Sequence, residues 1–199
     1  MRSGDKLVIF DLETFGLDPI SHPIIQFAAL AVDDTWEEVE SIEAKILFDP
    51  STAEQEALSI NGYDPEVWLR QGITGPRAMT AIADFFRRHS TLEKISARTG
   101  APYRIARLCA HNAPFDSGFL AAWFKRAGVF CPAGCYEALD TLALARWLSL
   151  ANHEDPPKDH KLETLCAWMS IPLEQAHDAL ADVRATTALA RKLFAAIGG

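Results

Sequence analysis

Two carboxylates one residue apart, Asp11 and Glu13, close the apolar run Leu7-Val8-Ile9-Phe10. Such a run reads as a buried strand, and alternation along a strand sets residues i and i+2 on one face, so the two anions project side by side. Adjacent anions at the edge of an apolar core cost stability unless something positive sits between them, and a divalent cation is the obvious candidate. The pair on its own equally fits a solvated strand end. Two further acids occupy comparable places: Asp116 in the first turn of a helix that follows another strand, and Asp182 in the second turn of the last helix. Each alone is explained by complementing a helix dipole or by lying on a helix surface. If the first and fourth strands are neighbours, all four acids leave the sheet at one edge, where open α/β sheets place their sites.

The elements that must position these residues follow from patterning. After the first strand, Ile24 to Val32 is a nearly continuous apolar strand and Val39 to Phe48 a third, the three forming an antiparallel meander. A short helix is expected over 53–60 and a helical turn over 66–70. Pro76 to His89 is a helix with the apolar face Met79, Ile82, Ala83, Phe85 and Phe86. Residues 90–104, with Lys94, Arg98 and Arg104, read as a basic surface excursion. Ile105 to Ala110 is the fourth strand, and Pro114 then opens a helix with Phe115, Phe119, Leu120, Trp123 and Phe124 at helical spacing, stopped by Gly128. A short strand near Tyr136 to Leu139, a helix from Thr141 to Leu150, a loop from Ala151 to His160, and helices over 162–169 and 178–197 complete the chain. Strands first, then helices interleaved with two more strands, imply an α/β fold: a mixed five-stranded sheet, three antiparallel strands then two more, with helices on both faces.

A chain of 199 residues, 49% hydrophobic and 23% charged, fits one globular domain with a full core. No apolar run reaches the roughly 18 residues of a membrane span, and the N-terminus lacks an apolar signal core, so a cytoplasmic protein without membrane partners is expected. Cys109, Cys131, Cys135 and Cys166 form no CxxC pair, and Cys131 and Cys135 have no His or Cys partners at metal spacing, which points to reduced thiols. A net charge of −8 argues against gripping long duplex nucleic acid through the overall field. It leaves room for a few nucleotides in a metal-loaded cleft.

Three motifs in order then carry a resemblance. The segments Phe10-Asp11-Leu12-Glu13-Thr14-Phe15-Gly16-Leu17, His111-Asn112-Ala113-Pro114-Phe115-Asp116 and His177-Asp178-Ala179-Leu180-Ala181-Asp182 resemble the motifs of the DEDDh branch of the DnaQ-like 3′–5′ exonucleases, the family of the polymerase III epsilon subunit, RNase T and oligoribonuclease. Asp140-Thr141-Leu142 is similar to the segment between the second and third motifs. Phe15 stands where many members carry Thr or Ser, and Ile60-Asn61-Gly62 where relatives often have His-Gly.

The resemblance implies a ribonuclease H-like fold, a single exonuclease domain over residues 1–199, and hydrolysis of the terminal phosphodiester of single-stranded nucleic acid with release of nucleoside 5′-monophosphates. Two divalent cations, Mg²⁺ or Mn²⁺, are the implied cofactors, since hard cations prefer carboxylate oxygens and a pair about 4 Å apart stabilises attacking and leaving oxygens together. By that analogy Asp11 bridges both, Glu13 and Asp182 hold the ion carrying the attacking water, Asp116 supports the other, and His177 is the general base. Five helical steps turn about 500°, which sets His177 and Asp182 roughly 140° apart on one regular helix. His177 is therefore expected on the loop or first turn before the helix proper. Leu12 and Thr14 are expected to offer backbone groups to the terminal 3′-hydroxyl and Phe15 or Leu17 to stack beside the last base, with core packing the alternative for Phe15 and for Phe115. Asn112 and Phe115 shape the pocket. His22, His89, His153 and His160 belong to no motif. The partner is the 3′ end of single-stranded DNA, with RNA trimming the alternative and a catalytically silent end-binding module the competing class; all five motif residues are present. Some relatives are dimers, which leaves a homodimer open. The epsilon-like members dock to a polymerase through an added tail, and with none beyond the last helix a stand-alone enzyme is expected.

Overall fold

The computed structural model describes residues 1–49, 63–151, 156–172 and 179–198. The expected helix at 53–60, the Asn61 turn, His153 and His177 lie outside the described residues. Strand β1, Leu7–Thr14, pairs antiparallel with β2, Ile24–Val32, which pairs antiparallel with β3, Glu38–Lys45. On its other side β1 pairs in parallel with β6, Leu108–Ala110, and β6 with β7, Leu139–Asp140. The sheet order is β3-β2-β1-β6-β7, the mixed five-stranded sheet expected from the sequence.

Alternation sorts the two faces. Val8, Phe10, Leu12, Phe27, Ala29 and Leu108 pack on one face against helices α2, Gly75–Arg88, and α3, Ala113–Arg126, which supply Ile82, Phe85, Phe86, Phe119, Leu120 and Phe124. Leu7, Ile9, Ala28, Leu30 and Cys109 pack on the other against Ala179, Val183 and Ala190 of α6, Ala179–Ala196. Helix α1, Pro65–Gln71, is capped by the Asp64 carboxylate, and α4, Thr141–Ala151, and α5, Leu162–Trp168, pack with α6 in a separate apolar cluster. No helix among the described residues is long and apolar enough to cross a membrane.

Several boundaries differ from the sequence reading. The segment 90–104 is no irregular excursion: Ser90–Ile95 and Pro102–Ala106 form a two-stranded hairpin, β4 and β5. Its turn closes through Gly100, at φ +69, whose N–H donates to the Ser96 carbonyl. Arg104 pairs with Glu93 across the hairpin, and Lys94 pairs with Glu137 outside it. The apolar run 105–110 is therefore two strands rather than one: Ile105 and Ala106 belong to the hairpin, and Leu108 to Ala110 to the central sheet. The fifth strand is displaced to Leu139–Asp140, because Cys135–Glu137 forms a 3₁₀ turn.

Candidate active site

β6 is short, and that shortness makes the site. Along β1 it pairs only with Val8 and Ile9, so the upper part of β1 runs past its end. Val8 N–H donates to the Arg107 carbonyl, and alternation turns the even-numbered N–H groups of β1 toward β6. At Leu12 no β6 residue remains to pair with, and the Asp116 carboxylate takes that place, accepting from Leu12 N–H at 3.2 Å. Asp116 thereby docks the first turn of α3 onto the sheet edge and is itself only 4% exposed.

Asp11 and Glu13 lie within β1 rather than after it, since the ladder with β2 continues to Thr14. They continue the row of Leu7 and Ile9 and therefore face α6, whose first described turn carries Asp182. The edge thus collects acids from both sheet faces: Asp11 and Glu13 from β1, Asp182 from α6 over one face, and Asp116 from α3 over the other.

Electrostatics reports their proximity. Asp11 is held well above the usual carboxylate range by burial and then by Asp116, Glu13 and Asp182. Glu13 is pushed up to about 7 by burial and by Asp182. Asp116 rises to about 8 through burial, opposed by the hydrogen bonds from Leu12 N–H and its own N–H, with Glu13 and Asp140 adding to the rise. Glu40, at the far end of the sheet, shows the opposite behaviour: hydrogen bonds from Arg88 lead the influences that lower it to about 2. At Asp11, Glu13 and Asp116 burial leads instead, and it raises them.

An all-carboxylate donor set suits a hard divalent cation. As the side chains stand, no group of three or more His, Cys, Asp or Glu among the described residues forms a metal-ligating set. The donor chemistry fits.

The neighbouring turn is well built. Thr14 Oγ1 donates to the Gly16 carbonyl, and Gly16, at φ +137, has the His22 ring 2.4 Å from where a Cβ would lie. Asp18 N–H donates to His22 Nδ1, Ser21 Oγ to the Asp18 carboxylate, and the Arg126 guanidinium to the carbonyls of Pro19 and Ile20. These bonds hold Leu17, 81% exposed, and Ile20, 77% exposed, out in solvent beside the carboxylate edge.

Phe15 takes the core-packing alternative. It is fully buried with Ile25 and Trp68, its ring 4.5 Å from Phe48 and 5.6 Å from Tyr63, and offers no face to a base. Of the two residues expected to meet the base, Leu17 is the exposed one. Leu12 is corrected in part, because its N–H is committed to Asp116. Phe115 is half-buried, 5.0 Å from Phe119 between ring centroids, and Asn112 is exposed.

Asp140 is the residue that sequence reasoning passed over. Its carboxylate accepts from Asn112 N–H at 3.0 Å and from Leu142 N–H at 2.9 Å. It thereby fixes the left-handed conformation of Asn112, φ 67 and ψ 45, that turns the chain from β6 into α3. Asp followed by Thr at a helix start was the available signal, as a cap. His111 supports the same junction, with Nδ1 2.9 Å from Thr141 Oγ1 and Nε2 3.0 Å from the His160 carbonyl.

A sequence model of the exonuclease family, of the RNase T kind, matches residues 8–99 and 89–190. The PolC-type DNA polymerase III of Oceanobacillus iheyensis is 31% identical over 190 residues, 95% of this chain and 11% of that protein. That of Bacillus cereus is 30% identical over 196 residues, 98% of this chain and 12% of that protein. Among solved structures, the zinc-bound form of the E. coli exonuclease I complex with single-stranded DNA superposes with a TM-score of 0.77 at 23% identity, over 96% of this chain and 41% of that one. Exonuclease I from Methylocaldum szegediense superposes with a TM-score of 0.74 at 24% identity, over 95% of this chain and 40% of that one. The structural likeness shows the shared ribonuclease H-like fold. The chain spans 11–12% of the length of the polymerases it matches and 40–41% of exonuclease I.

Proposed function

The chain belongs to the DnaQ-like family of 3′–5′ exonucleases, and from that membership we propose that residues 1–199 form a single exonuclease domain acting on the 3′ end of single-stranded DNA. The reaction is hydrolysis of the terminal phosphodiester, releasing nucleoside 5′-monophosphates. One observation carries the reading: acids from β1, α3 and α6 meet at one sheet edge, each raising the proton affinity of its neighbours.

Asp11, Glu13, Asp116 and Asp182 would hold two divalent cations, Mg²⁺ or Mn²⁺. When bound, these supply positive charge for the attacking and leaving oxygens and make water a better nucleophile. Everything else falls to the chain itself. His177 takes the proton of the attacking water; an imidazole with an ordinary pKa of about 6.5 is suited to this near neutral pH. Thr14 orients the terminal 3′-hydroxyl through its backbone. Leu17, with Ile20 beside it, meets the last base through apolar contact, which tolerates any base. Asn112 and Phe115 border the same pocket. DNA is favoured over RNA because the relatives are DNA polymerases and because exonuclease I has been solved with dT13 and dA16 oligonucleotides.

The test uses matched 5′-labelled and 3′-labelled single-stranded DNA and RNA with Mg²⁺, Mn²⁺ or EDTA. Release of mononucleotides from the 3′ end, dependent on the cation, faster on DNA and lost in Asp11→Asn and His177→Ala, is expected. Absence of cleavage of either polymer by folded, cation-supplied protein would instead support an end-binding module.

A further inference from the structure

All four cysteines are free thiols, and Cys131 and Cys135 lie with their Sγ atoms 3.8 Å apart. That contact lies in the strap that carries the chain from α3 to β7. The strap is fixed against β5: Ala106 N–H donates to the Pro132 carbonyl, and Gly134 N–H donates to the Ala106 carbonyl. Cys131 is half-buried and Cys135 is 8% exposed where the 3₁₀ turn begins. Both line an open cleft of about 550 Å³ with Tyr103, Phe130, Lys94 and Lys125. Cys109 and Cys166, by contrast, are 2% and 1% exposed in the apolar clusters that contain them.

We propose that Cys131 and Cys135 are a dithiol site that reacts reversibly with a low-molecular-weight disulfide of the glutathione kind and closes into an intramolecular disulfide. The cleft admits such a molecule, and Lys125 on its wall suits a carboxylate of glutathione, Lys94 being already paired with Glu137 of the same wall. One of the two thiols loses its proton to solvent and attacks one sulfur of the incoming disulfide, releasing one glutathione thiolate. The other, likewise deprotonated, then attacks the protein sulfur of that mixed disulfide, forming the protein S–S bond and releasing the second thiolate. The protein loses two electrons and two protons, and one glutathione disulfide becomes two glutathione thiols. An S–S bond of about 2.05 Å requires the two sulfurs to close by less than about 2 Å. The five-residue segment Cys131-Pro132-Ala133-Gly134-Cys135 makes ring closure local. The site is independent of the exonuclease reading.

The test incubates fully reduced whole chain with glutathione disulfide and follows free thiols, intact mass and the peptide map. The expected result is loss of two of the four thiols, a mass lower by two hydrogens, a Cys131–Cys135 cross-link, and full recovery with dithiothreitol. Cys135→Ser should stop at a mixed disulfide on Cys131, whereas Cys109→Ser and Cys166→Ser should still lose two thiols. Retention of all four thiols by the folded wild-type chain would overturn the proposal. So would a mixed disulfide that never resolves, or a cross-link mapping to other cysteines.

Discussion

The two halves of β1 lie on the same strand and, at odd positions, face the same helix, yet they are built for opposite ends. Leu7 and Ile9 are 3% and 0% exposed against α6, with β2 on one side and β6 on the other. Asp11 and Glu13 continue the row where β6 has stopped, and burial raises the proton affinity of both. The lower half contributes to stability and the upper half costs it. Functional sites are where such a local departure from the pattern of a buried strand is expected.

The sharpest way to break the comparison exchanges the roles of the halves. Asp11→Asn should lower exonuclease activity at least about 1,000-fold, because it removes a carboxylate that would hold the cations facing the attacking and leaving oxygens. The same change should raise the melting temperature of the metal-free protein by relieving repulsion with Glu13, Asp116 and Asp182. Ile9→Ala, two residues earlier, should cost about 2–5 kcal/mol in denaturant unfolding and leave kcat per folded molecule near wild type.

The pH dependence comes next. Glu13 rises from 4.5 to about 7 and Asp116 from 3.8 to about 8, so the folded state holds protons that the unfolded state has released. Their contribution is fully present below about pH 4 and is lost as pH rises through about 8, so metal-free stability should fall across that window by about 2 kcal/mol or more. Thermal melts in EDTA check this, and Mg²⁺ should restore stability at the alkaline end. A smaller effect is expected at Asn112→Ala, where a left-handed backbone without the Asn side chain should cost about 1–2 kcal/mol and weaken activity through Asp116. Smallest is Leu17→Ala, with KM for single-stranded DNA raised about 3- to 10-fold at unchanged melting temperature.

Much of this was legible because it is local. The strand Leu7 to Phe10, the apolar run from Ile24 and the helix opened by Pro114 each announce themselves by period. The carboxylate positions followed from asking where those elements end. What was missed or left open depends on contacts distant in sequence. Phe15, within the first motif, stood between base stacking and core packing, and its burial is decided by Trp68 and Tyr63, some fifty residues away. The hairpin over 90–106 hid behind charges that pair with each other and with Glu137 rather than alternating with an apolar face. Asp140 stands in the sequence only within the run Asp140-Thr141-Leu142, and the bond it accepts from the Asn112 backbone is visible only in the fold.

The central claim is that the acids on the upper half of β1, with Asp116 and Asp182, form a cation site. Calorimetric titration of the metal-free protein with Mn²⁺ near pH 7.5, repeated in buffers of different ionisation enthalpy, tests it most directly. The account predicts binding of two cations with release of protons, because Glu13 and Asp116 titrate at about 7 and about 8 before the cations enter. It also predicts that Asp11→Asn weakens binding severely. Binding without proton release, or binding untouched by Asp11→Asn, would contradict it.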